Sequence, residues 1–240
     1  MKRIRFKDLV IYEDESMLAI NKPANISSLH ERFDSEQGSI VQMAKAVDEH
    51  YSLCHRIDRE TSGVLLIAKN PEAYRHIAMQ FEKRTIDKVY HAIVSASVNL
   101  QELRIDLPLY TDSKRRVQVS KAKGKESLTE ISTFKQYKHF TVLACKPFTG
   151  RLHQIRVHAA SQNLPLVCDT LYGGKIPYLH EVKKKVNAGE DEKKAMMDRV
   201  GLHAYSISFN SLTAGDCTIT APYPNDFGVM IKLLEKYDQL

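Results

Sequence analysis

Short apolar runs separated by polar segments recur along the chain, and their spacing predicts mainly β-strands. Residues 9–12 (LVIY) and 17–20 (MLAI) flank the polar EDES, a pattern typical of a β-hairpin. Residues 63–69 (GVLLIAK) form an apolar run that predicts a buried strand. Residues 85–94 (TIDKVYHAIV) alternate with period two, so alternate side chains lie on opposite faces of a predicted strand. Further strands are predicted at residues 116–120, 128–134, 140–145 and 203–209.

Four segments have the period of an amphipathic helix. In residues 39–50, the capping-box spacing of Ser39 and Gln42 predicts where the first helix begins. Asn70 can cap a second helix with Pro71 at its first position. The expected apolar stripes are Ile40, Met43, Ala44 and Val47 in the first helix and Tyr74, Ile77, Ala78 and Phe81 in the second. Two more helices are predicted at residues 153–162 and 226–237. Because strands do not alternate strictly with helices, the pattern favours a mixed α+β domain over a doubly wound parallel sheet.

The length and composition indicate an ordinary globular protein. A chain of 240 residues is long enough for one large domain or two small ones. It contains no internal repeat, no low-complexity linker and no clean break, so we expect a single domain over residues 1–240. No apolar stretch approaches the roughly 18 residues of a membrane helix. The N-terminal MKRIRFKDLV is not followed by an apolar segment, so a secretory signal is not predicted. We therefore expect a cytoplasmic protein with no membrane partner, and a monomer.

The charge and the cysteines restrict the partners. The formal net charge is +6, which is compatible with a polyanionic partner. Residues 114–125 (KRRVQVSKAKGK) hold six Lys or Arg and no acid, and are either a contact for an RNA backbone or a plain solvated loop. The four cysteines, Cys54, Cys145, Cys168 and Cys217, have the spacing of neither a zinc site nor a disulfide framework. We expect buried or partly buried thiols.

The stretch HRIDRETSG (55–63) concentrates charge around one carboxylate. Arg56 and Arg59 flank Asp58, and their positive field favours its ionised form. An ionised Asp can act as a nucleophile, a general base or an electrostatic anchor. The alternative is that Asp58 caps the Thr-Ser-Gly turn while both arginines lie in solvent. These nine residues alone leave the two interpretations open.

Two further groups could take part in chemistry. Lys88 and Tyr90 share one face of the predicted strand, although a Tyr there more often packs against the sheet and a Lys more often extends to the surface. The segment GRLHQIRVH (150–158) brings two arginines and two histidines to the start of a predicted helix: Arg151, His153, Arg156 and His158. Such a start can bind an anion, since its backbone N–H groups add to the positive field. A polar helix face is the alternative.

The residues of these segments, and their order along the chain, resemble those of a known family. HRIDRETSGVLLIAKN (55–70) resembles the defining motif of the RluA-type pseudouridine synthases. The segments that resemble the family's other blocks are NKPANISSLH (21–30), RTIDKVYHAIV (84–94), TGRLHQIRVHAAS (149–161), DTLYGG (169–174) and GLHAYSISF (201–209). The resemblance runs in order from about residue 9 to 210. Three departures are visible: Ile57 replaces the usual Leu, Leu152 replaces Thr or Ser, and NSLTAGDCTI follows where the family has His-Pro.

The resemblance implies both a fold and a reaction. The fold would be that of the pseudouridine synthases, a mixed and largely antiparallel sheet with flanking helices and a central RNA-binding cleft. The reaction would break the N1–C1′ bond of a uridine in RNA and rejoin the base through C5. Asp58 would be the catalytic carboxylate, Arg156 would hold it ionised, and Tyr90 would stack on the target base. Arg56 would fill the space that the flipped base leaves.

The remaining expectations follow from the same resemblance. Arg59, Lys88, Arg151 and His153 would contact RNA. No cofactor is required, because the isomerisation involves no redox change. Only about 20 residues precede NKP, too few for the S4-type domain of many relatives. Target choice would then rest on this domain and on insertions such as residues 175–200, and the RNA would be a tRNA or rRNA stem-loop, with a slight preference for tRNA.

Two other classes compete with this interpretation. A glycoside or nucleoside hydrolase usually pairs two carboxylates across the bond. Glu60 and Asp87 lie in the motif segments and could supply such a pair, but neither belongs to the family's fixed pattern. A catalytically silent RNA-binding protein of the same fold would not need Asp58. Substitution of Asp58 by Asn discriminates between an enzyme and a silent protein.

Overall fold

The computed structural model describes residues 4–30, 38–183 and 194–240, so residues 184–193 of the expected insertion lie outside the described part. The chain is an α+β protein, as its pattern predicts. The helices are α1 (Ile40–Lys45), α2 (Pro71–Glu82), α3 (Gln154–Ser161) and α4 (Asn225–Tyr237). The strands are β1 (Val10–Glu13), β2 (Met17–Lys22), β3 (Ser52–Leu53), β4 (Ser62–Ala68), β5 (Asp87–Val94), β6 (Leu103–Asp106), β7 (Leu109–Thr111), β8 (Val117–Val119), β9 (Leu128–Gln136), β10 (Thr141–Pro147), β11 (Leu202–Ser211) and β12 (Gly215–Thr220).

The chain forms two compact units, each built from two stretches of sequence. The first unit contains the described part of Met1–Lys88 together with Ala204–Pro222. The second unit contains the described part of Val89–His203 together with Tyr223–Leu240. The expectation of one catalytic domain over residues 1–240 stays a prediction. No helix of the described residues is long and apolar enough to cross a membrane.

The sheet of the first unit is built around β2 and β4. The predicted hairpin is confirmed as β1 and β2, and its turn is held by Asp14, whose carboxylate accepts the N–H groups of Ser16 and Met17, each at 2.7 Å. Strand β4 pairs antiparallel with β2 and with the short β3, and β11 lies beside it. All seven residues of β4 are buried, which explains its unbroken apolar run.

The helices of the first unit begin where the sequence predicts. Ser39 donates its backbone N–H to the Gln42 side chain at 2.8 Å, and the Asn70 side chain accepts the N–H of Ala73 at 2.9 Å. Helix α1 ends at Lys45, earlier than predicted, so Val47 lies beyond the helix and is exposed. The stripe predicted for α2 is wrong at Tyr74, which is exposed; the buried residues are Ala73 and Ile77.

The sheet of the second unit is antiparallel, in the order β5-β10-β9-β6. The last four residues of β5 are all buried, because apolar groups cover both faces of the strand. One face carries a core that includes Ala92 and Val94 and that packs against Ile155 and Ala159 of α3. Ile93 belongs to the opposite core, which α4 covers. The predicted alternation along β5 is therefore confirmed.

The sequence missed the strands β3, β6, β7 and β12. Strands β7 and β8 form a separate two-stranded sheet, so the basic residues 114–125 belong to a β-hairpin and the turn that follows it. Strand β12 pairs antiparallel with β11, and it lies in the segment where NSLTAGDCTI replaces the family's usual His-Pro. All four cysteines are free thiols, buried or half-buried as expected.

Candidate active site

The HRIDRETSG segment of the first unit is an irregular loop that leads from β3 into β4. Arg56 is exposed, Ile57 is buried and Asp58 is half-buried. The N–H of Thr61 donates to the carbonyl oxygen of Asp58 at 3.1 Å, which closes a turn over residues 58–61. Gly63, the second residue of β4, has a φ of 115°, and a Cβ added there would lie 2.2 Å from the carbonyl oxygen of Ala204. Only glycine fits this close approach.

Ser28 fixes the middle of this loop. Its hydroxyl donates to the carbonyl oxygen of Ile57 at 2.7 Å and accepts the Ile57 N–H at 3.2 Å. Both backbone groups of a buried residue are thereby satisfied by one side chain. Because Ile57 is held at both polar groups, Arg56 and Asp58 extend from a fixed point.

Lys22 fixes the end of the loop. Its side chain is fully buried, and its ammonium group donates to the carbonyl oxygens of Pro23 and Ile26 at 2.8 Å and of Arg59 at 3.2 Å. The N–H of Asn25 adds a 2.7 Å hydrogen bond to the same Arg59 carbonyl. Hydrogen bonds of this kind offset the cost of burying a charge. The NKPANISS segment therefore braces the backbone on both sides of Asp58.

His55 begins the loop as a neutral acceptor. Its Nε2 accepts the N–H of Leu66 at 3.1 Å, so the ring proton is on Nδ1. Burial, followed by the charge of Lys88, lowers the pKa of His55 to about 3. The His55 ring packs against Phe81 with centroids 5.2 Å apart, and the Lys88 ammonium lies 5.9 Å from the same Phe81 ring. Burial also lowers the pKa of Lys88.

Tyr90 lies on β5 of the second unit, paired with Cys145 of β10. The ring is half-buried and packs against the core that includes Ile155 and Ala159 of α3. Tyr90 and α3 therefore lie on the same face of this sheet. The packing expected of a tyrosine on a strand is observed for part of the ring.

Arg156 on α3 forms a buried ion pair. Its Nε and Nη2 donate to the two carboxylate oxygens of Asp169 at 2.7 and 2.8 Å, and the side chains of Arg156 and Asp169 are only 4% and 1% exposed. The guanidinium carbon lies 5.2 Å from the centroid of the Tyr172 ring. The Tyr172 hydroxyl shares a 2.8 Å hydrogen bond with Nδ1 of His153, the left-handed residue that caps α3. Tyr172 thus contacts two of the four polar residues predicted at this helix, His153 and Arg156.

Gln154 attaches the start of α3 to β9. Its amide oxygen accepts the Thr149 hydroxyl at 2.7 Å and the Arg151 N–H at 3.0 Å. Its amide nitrogen donates to the Leu128 carbonyl and the Thr129 hydroxyl, both at 2.9 Å. All four hydrogen-bonding positions of this buried amide are filled, which fixes the helix at its first turn.

His158 continues the same buried network. Its Nε2 lies 2.9 Å from the Leu107 carbonyl oxygen, which can only accept, so Nε2 carries the proton and Nδ1 accepts from the Thr129 hydroxyl at 2.8 Å. Burial lowers the pKa of His158, consistent with this neutral form. Of the two interpretations left open for this segment, His158 therefore fits the structural one. Its role is to join α3 to Thr129 of β9 and to the backbone at Leu107.

The basic hairpin is anchored beside α3. Leu109 of β7 and Val117 of β8 form an apolar cluster with Val157 of α3, against which Leu152 and Tyr172 pack. The six basic side chains are exposed: Lys114, Arg115, Arg116, Lys121, Lys123 and Lys125. Arg116 pairs with Asp112 at 2.9 Å across the hairpin tip. Arg151 is also exposed, and its Nε donates to the Glu126 carbonyl at 3.1 Å.

The predicted residues divide between the two units. The first unit holds Arg56, Asp58, Arg59 and Lys88; the second holds Tyr90, Arg151, His153 and Arg156. The pairing of Arg156 with Asp58 stays a prediction. Two residues beside Arg156 were not singled out from the sequence, Asp169 and Tyr172. The signal was present, since DTLYGG places an acid in a family segment and a buried arginine requires a carboxylate. Among the described residues, no three His, Cys, Asp or Glu side chains form a group suited to a metal ion.

Comparison with known sequences decides the family. The family model described as RNA pseudouridylate synthase matches residues 16–161, which include the HRIDRETSG loop and α3. The chain belongs to this family. The resemblance to the RluA type is thereby confirmed, and the relatives agree with it. Ribosomal large subunit pseudouridine synthase C of Buchnera aphidicola subsp. Baizongia pistaciae is 35% identical, with 96% of this chain and 72% of that protein covered. Ribosomal large subunit pseudouridine synthase D of Neisseria meningitidis serogroup B is 30% identical, with 94% of this chain and 60% of that protein covered.

Solved structures confirm the fold of the RNA pseudouridylate synthases. The structure of human RNA Pseudouridylate Synthase Domain Containing 4 superposes with a TM-score of 0.71 at 20% identity, covering 96% of this chain and 95% of that one. Human RNA Pseudouridylate Synthase Domain Containing 1 superposes with a TM-score of 0.69 at 22% identity, covering 93% and 87%. At these identities the likeness concerns the fold.

Proposed function

We propose that the protein is an RNA pseudouridine synthase that isomerises specific uridines of ribosomal RNA to pseudouridine. The observation that carries the proposal is the HRIDRETSG loop of a family member, in which a clamped, buried Ile57 separates exposed Arg56 from half-buried Asp58. The reaction breaks the N1–C1′ bond, turns the uracil and forms a C5–C1′ bond, and the hydrogen at C5 leaves as N1 gains one. Atoms and electrons balance without a cofactor.

Asp58 is the catalytic carboxylate in this proposal. Its neighbours Arg56 and Arg59 favour the ionised form, which a nucleophile or a base requires. The braced backbone adds a second argument. Ser28 holds Ile57 and Lys22 holds the Arg59 carbonyl, so the residue between them is kept in place before substrate arrives.

Arg56 assists base flipping. A uridine in a stem must leave the stack before its glycosidic bond becomes accessible, and this costs a few kcal/mol. An exposed guanidinium can fill the vacated space and contact the bases that remain, since its plane stacks on aromatic rings. The loop supports this division of work, because Arg56 is exposed and Asp58 is half-buried on either side of a fixed Ile57.

Tyr90 and Arg156 complete the proposed chemistry. Tyr90 stacks on the target base, and a half-buried ring on a sheet face offers a rigid surface for this. Arg156 stabilises the ionised carboxylate; its buried pair with Asp169 keeps the guanidinium in one orientation.

The RNA-binding surface includes Arg59, Lys88, Arg151 and His153, together with the basic hairpin of residues 109–125. Five basic side chains of this hairpin remain exposed besides Arg116, whose charge is partly compensated by Asp112. Exposed Lys and Arg bind phosphates and release counterions, which supplies affinity without sequence specificity. The relatives' names favour rRNA over the tRNA that the sequence slightly favoured. We also propose a cytoplasmic location and a monomer.

Mapping of pseudouridine in cellular RNA tests the proposal. RNA from cells lacking the protein is compared with RNA from complemented cells by carbodiimide labelling and primer extension. Wild type restores one or a few sites in rRNA, and Asp58→Asn restores none. Asp87→Asn, a change of the same type at an exposed residue of the first unit, restores them fully.

The purified proteins complete the test. Asp58→Asn binds the mapped RNA as tightly as wild type while the rate of product formation falls by at least about 10³-fold, equivalent to roughly 4 kcal/mol of activation free energy. Pseudouridine made by Asp58→Asn would exclude the mechanism. Two results together would favour the catalytically silent RNA-binding protein: a pseudouridine map unchanged by loss of the protein, and no product from purified wild type on bulk rRNA.

A further inference from the structure

We propose that Asp169 is a positioning residue for catalysis, which acts by fixing the orientation of the Arg156 guanidinium. This inference rests on the proposed function, because it assigns a partner to one of that function's residues. Asp169 opens the DTLYGG segment, but the sequence alone assigns it no role. Its geometry assigns the role.

The ion pair is directional as well as charged. A guanidinium carries five N–H groups in one plane, and Asp169 accepts one from Nε and one from Nη2 at 2.7 and 2.8 Å. Two parallel hydrogen bonds fix the rotation of the plane about the side-chain axis. The other N–H groups then point in set directions, so whatever they bind is presented with a single geometry.

Tyr172 fixes the same plane from a second direction. Its ring centroid lies 5.2 Å from the guanidinium carbon, within reach of a cation–π interaction. The ring is itself held, because its hydroxyl shares a hydrogen bond with His153 at 2.8 Å. Asp169 therefore fixes the edge of the guanidinium, and Tyr172 limits its displacement.

The backbone around Asp169 is rigid. Its N–H donates to the Leu166 carbonyl at 3.1 Å, and its carbonyl accepts the N–H groups of Tyr172 at 3.0 Å and Gly174 at 2.8 Å. An added Cβ at Gly174 would lie 1.9 Å from the Leu166 carbonyl oxygen, so the turn closes only with glycine there. The carboxylate is thus supplied from a fixed turn rather than from a mobile side chain on the surface.

Stability alone does not explain such a pair. Both charges are almost fully removed from water, and a buried ion pair is often no more stabilising than apolar residues of the same volume. Its particular advantage is a defined orientation. That advantage matters where a reacting group must be held to within a fraction of an ångström, since a misplacement of about 1 Å can cost about 10²-fold in rate.

The second unit contains a matched control for the experiment. Arg199 donates from Nε and Nη2 to the carboxylate oxygens of Asp226 at 2.5 and 3.1 Å, so it forms a pair of the same type. Neither Arg199 nor Asp226 belongs to the proposed catalytic or RNA-binding residues. Asp226→Asn removes the same charge from a two-bond pair of a buried arginine, although the Asp226 side chain is 35% exposed and that of Asp169 only 1%. It therefore reports the effect of losing such a pair away from the proposed site.

The test compares wild type, Asp169→Asn, Asp169→Glu and Asp226→Asn on the mapped rRNA fragment. Three quantities are measured: the single-turnover rate constant, the Kd for RNA and the thermal midpoint of unfolding. Rates are measured at least about 15 °C below each midpoint. We expect Asp169→Asn to lower the rate by about 10²-fold with Kd unchanged within about twofold. Asp169→Glu keeps the carboxylate and gives an intermediate rate. Asp226→Asn lowers the midpoint and keeps the rate within about threefold.

Each other outcome overturns the inference. A rate for Asp169→Asn within about threefold of wild type removes the positioning role, and an equal loss in Asp226→Asn assigns the effect to stability. A rise in Kd that matches the fall in rate makes Asp169 a binding residue. If Asp169→Asn does not fold, the Asp169→Glu rate decides: full activity would show that exact placement is unimportant. An inactive wild type is a different result, because it removes the proposed function itself.

Discussion

The hydroxyl of Ser28 holds both polar backbone groups of Ile57, at 2.7 Å for the carbonyl oxygen and 3.2 Å for the N–H. Ile57 lies between the two residues to which the proposal assigns different work. A single serine from the NKPANISS segment therefore fixes the backbone from which the Arg56 and Asp58 side chains extend. The different roles proposed for Arg56 and Asp58 lead to a prediction that a general loss of activity would not produce.

Substitution of Arg56 by Ala should reduce turnover most where the uridine is stacked. On a stem-loop we expect the single-turnover rate to fall by about 10- to 100-fold, or roughly 1.4 to 2.7 kcal/mol, because flipping loses the side chain that fills the gap. On an RNA with the same uridine in a single-nucleotide bulge, the loss should be at least fivefold smaller. Parallel time courses on the two RNAs measure the difference.

Arg75→Ala is the control for this experiment, since Arg75 is an exposed arginine on α2 of the same unit. It should leave both rates unchanged. Equal losses for Arg56→Ala on the two RNAs would contradict a role in flipping.

Removal of charge from the basic hairpin should weaken RNA binding and lower its dependence on salt. For the double substitution Lys121→Ala and Lys123→Ala, we expect the slope of log K against log[salt] to become shallower by about 1.4 to 1.8, because two phosphate contacts are lost. The loss of affinity should be similar for RNAs of unrelated sequence. Filter binding between about 50 and 200 mM salt measures the slope.

The matched control for the hairpin lies on α4. Lys232 and Lys236 are exposed lysines of the same unit, and their joint replacement by Ala removes an equal charge. A similar change of slope in both double variants would attribute the effect to net charge instead of to the hairpin.

Stability should fall in acid through His55. Its folded-state pKa is about 3, below the ordinary value of 6.5, so the unfolded chain binds more protons between these values. The stabilisation that the neutral His55 ring gives to the folded state is therefore complete above about pH 6.5 and is lost as the pH falls toward 3. In His55→Gln, the difference in unfolding free energy between pH 7 and 4.5 should be smaller than in wild type by about 1–2 kcal/mol.

Urea unfolding at the two pH values checks the role of His55. Burial, followed by the charge of His203, also lowers the pKa of His91, to about 4, so only the difference between wild type and variant isolates His55. His50→Gln, a change at an exposed ring, should keep the wild-type difference. An unaltered difference in His55→Gln would mean that His55 does not titrate in this window.

Local chemistry made much of the fold predictable. The polar EDES between two apolar runs predicted the hairpin whose turn Asp14 holds, and Asn70 followed by Pro71 predicted the start of α2. In each case the residues that decide the structure are neighbours in sequence. Strands β6 and β7 were missed although β1 and β8, of the same lengths, were predicted, so short length alone does not decide which strands a pattern reveals.

The hydrogen-bond partners of Arg156 and His158 could not be predicted from patterns of neighbouring residues. Asp169 is 13 residues from Arg156, and Leu107 is 51 residues from His158. A helix pattern shows which residues share a face, but it contains no information about which distant carbonyl or carboxylate they meet. The neutral state of His158 and the ion pair of Arg156 both follow from those distant partners.

Tyr172 belongs at once to the apolar base of the hairpin and to the surroundings of Arg156. A displacement of the hairpin would therefore reach the guanidinium along two packed routes, through the Tyr172 ring and through Val157 of α3. If RNA binds the hairpin and Arg156 acts in catalysis as proposed, a substitution that moves Tyr172 should change RNA affinity and turnover together.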